Sequence, residues 1–509
     1  MRKSFVLFLV LLVFAIGGTC YVSAELLHEK DNVQITERVV LGDKSAVDGV
    51  KVERNVKYDK YIRWNTTYVV GEEAKCDTAY TFDEHGRLRE ESNYRYNGLE
   101  LYTDVIRGFD DANEDAENLT GVDRAMKELF DKTEPGQENS MIINLKDYLD
   151  FYEYEVLIDL PGDIAHYHIN KEDIEEAIVR YGSNETYIAN LEEELYIVEA
   201  ISEFFKIPVI DNHLYEITVS KDMNGNLYGW GYGSANGGGS SGNVSMGNSI
   251  PESDAFSLWT LSAYTENVCY FTFNPYTDDG KLVDTSYIPG GFGIYCLPFD
   301  KENRTVDVDN LRLVYALDPT EDILNMHYDK KRNTILFLRH KEAGSGYRMT
   351  VFDADTMEVK QDIVYSETGY GAGIYMGDDF IVLEGADDII VLSVGEDGVY
   401  QKELICDVKH LIDETSVDYL DFSYMDFDWD GEKLVFGGPL NDSTSHRYYQ
   451  SCGFYLAAYD ESGLIYYGEY VSSLDAESSY SNSYYDPYYG YDFTCRPTEN
   501  DPIFVDWGK

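Results

Sequence analysis

The sequence predicts a mainly β protein in which a propeller-like domain follows a smaller α+β region. Its 509 residues suit two or three domains. An apolar content of 44% with 14% aromatic residues is typical of a globular chain rather than a disordered one. After Pro208 the chain is a succession of short β-like runs with little helical periodicity. These observations predict an N-terminal segment over 1–24, an α+β region over 25–206 and a propeller-like domain over 210–509, with tandem β-sandwiches as the alternative architecture.

The N-terminal segment is typical of an export signal. Residues 2–3 are positively charged, residues 5–16 form an unbroken apolar run, and Val22 and Ala24 occupy the two small-residue positions that a signal peptidase reads. A retained membrane anchor stays open, because the apolar run, extended to Cys20 and beyond, approaches the roughly 20 residues of a spanning helix. Lipidation of Cys20 is a third alternative. The sequence therefore predicts an extracytoplasmic protein, either secreted or anchored to the membrane by this segment.

The α+β region begins with strands and ends with an amphipathic helix. Short apolar and β-branched runs over 39–70 predict strands, and one helix is expected around 122–130. Between residues 171 and 206 apolar residues recur at spacings of three and four, which predicts a helix that Pro208 ends. Its apolar face consists of Leu191, Leu195, Val198, Ile201 and Phe205.

One turn pattern recurs in the propeller-like region. An aspartate follows a strand, polar or glycine residues come next, and an apolar strand begins. These aspartates are Asp222, Asp329, Asp353, Asp430 and Asp460. Such turns divide 325–365, 373–405 and 424–470 into groups of short strands, and four strands in roughly 40–50 residues is the repeat of a propeller blade. The glycine- and serine-rich stretch 229–248 predicts a loop.

The chain is strongly acidic. It has 94 aspartates and glutamates against 40 lysines and arginines, which gives a formal net charge of −54. Such a field repels nucleic acid and anionic lipid headgroups. The predicted partners are therefore a glycan or a protein, with no nucleic acid and with membrane contact only through the N-terminal segment.

Cysteine use is compatible with export. Seven cysteines occur, and the even number that follows the leader permits disulfides in an exported protein. They are scattered, without a CxxC pair, so isolated buried cysteines are an equal alternative and a structural zinc site is not expected. They are Cys76, Cys269, Cys296, Cys406, Cys452 and Cys495.

The leader, the tyrosine-rich acidic body and the blade-like repeats together resemble uncharacterised exported proteins of low-GC Gram-positive bacteria. The resemblance lies in layout and composition over most of the chain. The strand groups over 325–365 and 424–470 also resemble those of propeller proteins in general. Export and a propeller-like fold are what these resemblances imply, and they carry over no activity, ligand or catalytic residue.

The sharpest candidate site is a set of alternating aspartates, Asp426, Asp428 and Asp430, immediately before a glycine. Carboxylates at the first, third and fifth positions begin a calcium-binding loop. The pattern then departs from such a loop, because Leu434 and Gly437 stand where two later ligands belong. A calcium site and an ordinary Asp-Gly turn both stay open, and no other cofactor is expected.

Three weaker patterns also suggest sites. Residues 222–226 repeat the calcium spacing with an aspartate and two asparagines. His166 and His168 would share one face of a strand near Asp163, which could begin a zinc or copper site. Residues 238–242 match GxSxG but lack the preceding strand and following helix of a nucleophile elbow, so a chance match is the better interpretation.

The chain holds 45 tyrosines, which are dense near its end. Tyrosine offers a stacking face and a polar edge, which suit glycans and protein partners. A loop bearing Tyr484, Tyr485, Tyr488 and Tyr489 is therefore a predicted ligand-binding segment, with an inert loop as the equal alternative.

These patterns favour recognition over catalysis. The leading hypothesis is a non-catalytic binding or sensing protein at the bacterial cell surface, because loops with aromatic residues supply a recognition surface. The alternative is a carbohydrate-active hydrolase or lyase that uses aspartate or glutamate, since an acidic chain supplies candidate pairs everywhere. A structural envelope protein is the third hypothesis.

Overall fold

The structure is a computed structural model. It describes residues 33–59, 62–80, 98–102, 121–159, 185–234, 239–241, 260–278, 280–300, 305–340, 346–366, 373–385, 387–395, 398–415, 425–441, 451–472 and 503–508, with short pieces at 12–14, 16–18, 178, 256, 258, 302, 371, 417, 420 and 422.

Strands dominate the described chain. In chain order they are β1 Ile35–Gly42, β2 Lys51–Asp59, β3 Ile62–Val69, β4 Lys75–Tyr80, β5 Gly98–Tyr102, β6 Glu138–Asn144, β7 Glu155–Asp159, β8 Leu214–Lys221, β9 Leu227–Ser234, β10 Gly239–Ser241, β11 Thr260–Tyr264, β12 Val268–Phe273, β13 Gly293–Asp300, β14 Thr305–Val306, β15 Arg312–Ala316, β16 Asp322–Asp329, β17 Thr334–His340, β18 Tyr347–Asp353, β19 Val359–Ser366, β20 Ile374–Met376, β21 Phe380–Glu384, β22 Asp388–Val394, β23 Tyr400–Asp407, β24 Asp426–Trp429, β25 Leu434–Asn441, β26 Ser451–Asp460, β27 Gly463–Ser472 and β28 Ile503–Asp506. The helices are α1 Gly121–Lys132, α2 Glu185–Phe204 and α3 Lys409–Glu414, with short 3-10 helices at Lys44–Val47, Leu145–Asp147 and Val308–Asn310.

The chain divides into two compact units, one formed by residues 1–95 with 364–509 and the other by residues 96–363. The first unit holds the sheets β28-β2-β3-β4, β20-β21-β22-β23 and β1-β27-β26-β25-β24. Two of these sheets join strands from opposite ends of the sequence, because β28 pairs with β2 and β1 pairs with β27, both antiparallel. Two apolar clusters fill this unit.

The second unit mixes sheets and helices. Its sheets are β10-β9-β8-β6, β16-β17-β18-β19, the pair β5-β7, and β11-β12-β13 with β14 and β15 both beside β13. One apolar cluster includes Met126 and Leu129 of α1 and Ile201 of α2. Phe205, directly after α2, meets the ring of Tyr295 edge to face at 5.0 Å. Of the apolar face predicted for the second helix, Val198, Ile201 and Phe205 belong to this cluster, together with Ile197, which the prediction did not include.

The mainly β fold with propeller-like strand groups is confirmed. The groups predicted over 325–365, 373–405 and 424–470 are the consecutive antiparallel strands β16–β19, β20–β23 and β24–β27. In each group the second strand contains a run with 0% exposure, at 335–338, 381–383 and 434–436. A run buried on both faces is continuously apolar rather than alternating, which is why these strands were recognisable in the sequence.

The aspartate turns are confirmed as well. The Oδ1 atom of Asp353 accepts the N–H groups of the residues two and three positions later, both at 3.1 Å. Asp430 does the same at 2.8 and 2.7 Å. Asp460 accepts one such bond from Ser462. Each carboxylate stands at or next to a strand end and gives the turn the hydrogen bonds that the sheet ladder no longer supplies.

The loop predicted over 229–248 is wrong at its start. Residues 229–234 belong to strand β9, and residues 239–241 form β10. The glycines alternate with Trp230 and Tyr232, and these aromatic side chains lie on the core side of the sheet. Period-two alternation thus prevailed over the glycine content of the segment.

Strand pairing also crosses residues 206–210, because β6 and β8 are neighbours in one sheet. The domain boundary predicted there stays a prediction. In the N-terminal segment, residues 12–14 and 16–18 are helical and exposed. Among the described residues, no helix combines the length and the apolar character that crossing a bilayer requires.

Candidate functional site

Strand β8 is buried on both faces, and the two faces differ in chemistry. Tyr215, Ile217 and Val219 belong to the apolar core of the second unit. The intervening residues point to the other side of the sheet, because side chains alternate along a strand. These residues, Glu216, Thr218 and Ser220, are 5%, 2% and 7% exposed.

The neighbouring strand β9 adds no side chains to that polar face. In the register of the sheet, Glu216 lies opposite Gly233, Thr218 opposite Gly231 and Ser220 opposite Gly229. The three polar side chains therefore lie beside backbone that carries no side chains of its own, and the three glycines are themselves buried. We call this arrangement the polar strip, and define it as Glu216, Thr218 and Ser220 of β8 with Gly229, Gly231 and Gly233 of β9.

Two polar atoms of the strip are buried without a hydrogen-bond partner among the described residues. They are Oε2 of Glu216 and Oγ of Ser220. Leaving a buried donor or acceptor unpaired costs about 1–3 kcal/mol, and more for a charged group. Native proteins leave few such groups unpaired, so each one needs an explanation. One explanation is that a ligand supplies the missing hydrogen-bond partners.

An exposed strand borders the strip on its other side. β6 pairs with β8, and Ser140 lies opposite Thr218 while Ile142 lies opposite Glu216. The hydroxyl groups of Ser140 and Thr218 are 3.1 Å apart. Ser140 is exposed and Ile142 is 48% exposed. At the edge of the sheet, polar Ser140 thus lies beside Thr218, and apolar Ile142 lies beside the buried carboxylate.

The strip suits recognition of hydrogen-bond donors. A carboxylate accepts only, whereas the two hydroxyls donate and accept. Glu216 and Ser220 are four residues apart, which places them roughly 13 Å from one another along the strand. Glycoside hydrolysis needs two carboxyl groups within roughly 5–10 Å, and the positions that follow Glu216 on its face carry hydroxyls instead. The strip therefore offers hydrogen-bond acceptors that suit a ligand bearing donors.

The aspartates proposed for calcium have another role in the structure. In the first unit, Asp426 Oδ2 accepts the N–H of Val505 at 2.6 Å, and Asp428 Oδ2 accepts that of Trp507 at 2.7 Å. Asp426 Oδ1 also accepts the hydroxyl of Tyr375 at 2.5 Å. Two carboxylates of β24 thus hold consecutive outward N–H groups of β28 and the residue after it. We call this arrangement the carboxylate clasp.

Burial changes the acidity of the clasp. It raises the pKa of Asp426 to about 6, even though the hydrogen bonds from Tyr375 and from the Val505 N–H act in the opposite direction. Burial, together with the adjacent Asp426, also raises the pKa of the Tyr375 hydroxyl. The clasp therefore holds a carboxyl group that titrates much closer to neutrality than an exposed aspartate.

Calcium binding at Asp426, Asp428 and Asp430 stays a prediction. Within the described chain, no three histidine, cysteine, aspartate or glutamate side chains form a group that could hold a metal. Asp430 lies beyond the end of β24 and closes a turn. The weaker copy at 222–226 is also a turn, in which Asp222 Oδ1 accepts the N–H groups of Asn224 and Asn226 at 2.7 and 2.9 Å.

Several predicted residues lie outside the described part of the chain. They are Asp163, His166, His168, Tyr484, Tyr485, Tyr488 and Tyr489. Of the GxSxG match, only residues 239–241 are described, and they form the short edge strand β10. Among the cysteines, Cys269, Cys296 and Cys406 are buried, and burial raises the pKa of the Cys296 thiol.

Sequence reasoning missed the polar strip. The signal was present in two segments, a strand with polar residues at alternate positions from Glu216 and a strand with glycine at alternate positions from Gly229. Each pattern is common alone. Only the pairing of β8 with β9 places the two on one face.

Comparisons with known proteins leave the family open. No family model matches the sequence, and no curated protein matches it. Among solved structures, Kluyveromyces lactis Hsv2 is 7% identical, with 41% of this chain and 62% of that chain covered and a TM-score of 0.19. A structural-genomics protein from Lactobacillus plantarum is 13% identical, with coverage of 51% and 62% and a TM-score of 0.22. A chain of the mitotic checkpoint complex is 10% identical, with coverage of 43% and 71% and a TM-score of 0.22.

The chain thus spans about three fifths of the length of the Hsv2 and Lactobacillus proteins. TM-scores this low do not identify a shared fold. The assignment of propeller-like strand groups rests on the strand pairing of this chain itself.

Proposed function

We propose that the protein is an exported, non-catalytic binding or sensing protein of the bacterial cell surface, and that it takes its ligand on the polar strip. One observation carries the proposal: Glu216 Oε2 and Ser220 Oγ are buried on the same sheet face without hydrogen-bond partners among the described residues. A ligand that donates to the carboxylate and pairs with the hydroxyl would recover the free energy that the two unpaired atoms forfeit. The acidic surface and the N-terminal segment support a role outside the cytoplasm.

The test uses the full-length protein on peptide and glycan arrays, followed by a search for turnover of every ligand that binds. The variant Ser220→Ala removes an unpaired hydroxyl from the strip. We expect its melting temperature to stay the same or rise, because a buried unsatisfied group is lost. Binding should weaken about threefold to tenfold, which corresponds to the loss of one neutral hydrogen bond.

The matched control is Ser393→Ala. Its hydroxyl is exposed and donates to Glu403 Oε1 at 2.6 Å on a sheet of the other unit. This variant should bind as the wild type does. If the wild type and Ser220→Ala bind with equal affinity, the polar strip is not the ligand-binding site. Formation of product from a bound glycan, lost on substitution of one acidic residue, would replace it with the hydrolase alternative.

A further inference from the structure

Glu216 has no described cation to neutralise it. Its Oε2 atom is buried without a hydrogen-bond partner among the described residues. The lysine that ends the same strand, Lys221, places its Nζ atom 4.0 Å from the centre of the Phe130 ring. A buried carboxylate is stabilised most by a charged donor, since hydrogen bonds to charged groups are about twice as strong as neutral ones. A cationic group is therefore the most favourable hydrogen-bond partner for the Glu216 carboxylate.

The strand beside Glu216 offers a place for an extended chain. β6 is the last strand of its sheet among the described residues, and its first three residues are exposed. An exposed edge strand can pair with an extended peptide through main-chain hydrogen bonds. Alternate side chains of that peptide would then lie on the same face as Ser140, Ile142 and Glu216.

The distance from a peptide at the edge of β6 to Glu216 requires that the peptide carry long side chains. A peptide strand beside β6 would lie two strand spacings from β8, roughly 9.6 Å. Lysine and arginine carry their charge at the end of a three- or four-carbon stem that can lie over apolar surface, and the exposed side chain of Ile142 lies on that path. Shorter donors at the edge would not reach Glu216.

We infer that the polar strip binds an extended basic peptide, which pairs with the edge of β6 and inserts a lysine or arginine side chain against Glu216. This inference rests on the proposed function and names its ligand class. The net charge of −54 favours the approach of such a peptide and would accelerate its association at low salt. The exposed Glu138 at the start of β6 adds a second acidic group to that edge.

The probe is a fluorescent peptide of about ten residues in which serine and lysine alternate. Three other ligands serve for comparison. Two are the same peptide with citrulline or with glutamate in place of lysine, and the third is a glucosamine oligomer that carries ammonium groups on a sugar backbone. Affinities are measured by fluorescence anisotropy with the full-length protein. The lysine peptide should bind and the glutamate peptide should not. The citrulline peptide should bind about 10- to 100-fold more weakly than the lysine peptide, as expected for one charge-assisted hydrogen bond.

The decisive variant is Glu216→Gln, which keeps the shape of the side chain and removes its charge. This variant should bind the lysine peptide with an affinity about 10- to 100-fold lower than the wild type does. Its affinity for the citrulline peptide should equal that of the wild type. The control Glu461→Gln removes the same charge from an exposed turn in the other unit, so it should lower the affinity by no more than about twofold. Melting curves of both variants confirm folding. If Glu216→Gln does not fold, the same comparison is made with Ser220→Ala.

The outcomes separate this inference from the function on which it rests. If the glucosamine oligomer binds and the lysine peptide does not, the binding function stands and the peptide inference falls. The inference also falls if the lysine peptide binds wild type and Glu216→Gln equally. If neither the arrays nor the peptides give any binding, the proposed function itself is lost.

Discussion

Asp426 shows how one residue can hold a structure together and still oppose it electrostatically. Its two oxygens accept hydrogen bonds from Tyr375 and from the N–H of Val505. Burial nevertheless raises its pKa to about 6, from an ordinary value of 3.8. Between these two values the folded protein keeps a proton that the unfolded chain has released. The contribution of Asp426 to stability is therefore fully present below pH 3.8 and is lost as the pH rises through 6.

The pH dependence can be isolated with Asp426→Asn. The free energy of unfolding of the wild type, relative to this variant, should fall by about 2 kcal/mol between pH 4 and pH 7, because the pKa of the folded state is about two units above that of the unfolded state. Urea unfolding at several pH values measures it. Asp460→Asn, at an exposed turn, is the control for the same chemical change. Parallel pH profiles for wild type and Asp426→Asn would show that burial does not govern this carboxyl group.

At the scale of elements, the pairing of β1 with β27 depends on a close approach of two backbones. Gly42, at the end of β1, has φ +76°, and a Cβ atom there would lie 1.9 Å from the carbonyl oxygen of Ile465. Gly463 also has a positive φ, +109°, but a Cβ atom there meets nothing within 4 Å. Both glycines thus have a backbone conformation with positive φ, but only at Gly42 would an added Cβ atom meet neighbouring atoms.

The pair Gly42→Ala and Gly463→Ala separates these two effects. Each should cost about 1–2 kcal/mol of unfolding free energy for the left-handed backbone. Gly42→Ala should cost about 1–3 kcal/mol more, because the new methyl group overlaps the backbone of β27. Urea unfolding at constant pH gives both values. Equal costs would mean that β1 can shift away from β27 without loss.

The sequence predicted elements whose cause is local. Aspartate turns such as Asp353 and Asp430 and the buried second strands were visible because a few adjacent residues define them. The polar strip was not visible, since it needs β8 to pair with β6 and β9. The carboxylate clasp was not visible for the same reason, and the alternating aspartates left a calcium loop and an ordinary turn both open. Its donors lie 79 residues further along the chain than their acceptors, and spacing within a segment says nothing about such a partner.

At the scale of the whole molecule, the outstanding property is its charge. A net charge of −54 over 509 residues keeps molecules apart in solution and draws cationic ligands, while it strains the compact state through self-repulsion. Such a charge suits an exterior where salt screens it. The charge does not bear on the proposed export, which depends on the N-terminal segment.

Export is tested by fusing residues 1–25 to a reporter enzyme that is active only outside the cytoplasmic membrane. We expect activity, because the segment has a basic start, an apolar run and small residues before Glu25. Replacing residues 2–3 and the centre of the apolar run with glutamate should abolish it. Mass spectrometry of the N-terminus distinguishes cleavage before Glu25 from a retained anchor. A reporter that stays inactive with the native segment would contradict export.

Strand β28 has a consequence for the order in which the protein can be made. Residues 503–506 pair with residues 51–54, so roughly 450 residues of chain are made between these two paired strands. Synthesis delivers β2 first, and β2 must wait without this partner until the segment that contains β28 has left the ribosome. Among the described strands of the unit formed by residues 96–363, none pairs with a partner so far away in the sequence. For the export proposed above, this delay is an advantage, because the sheet that contains β2 and β28 cannot be completed before most of the intervening chain has been made.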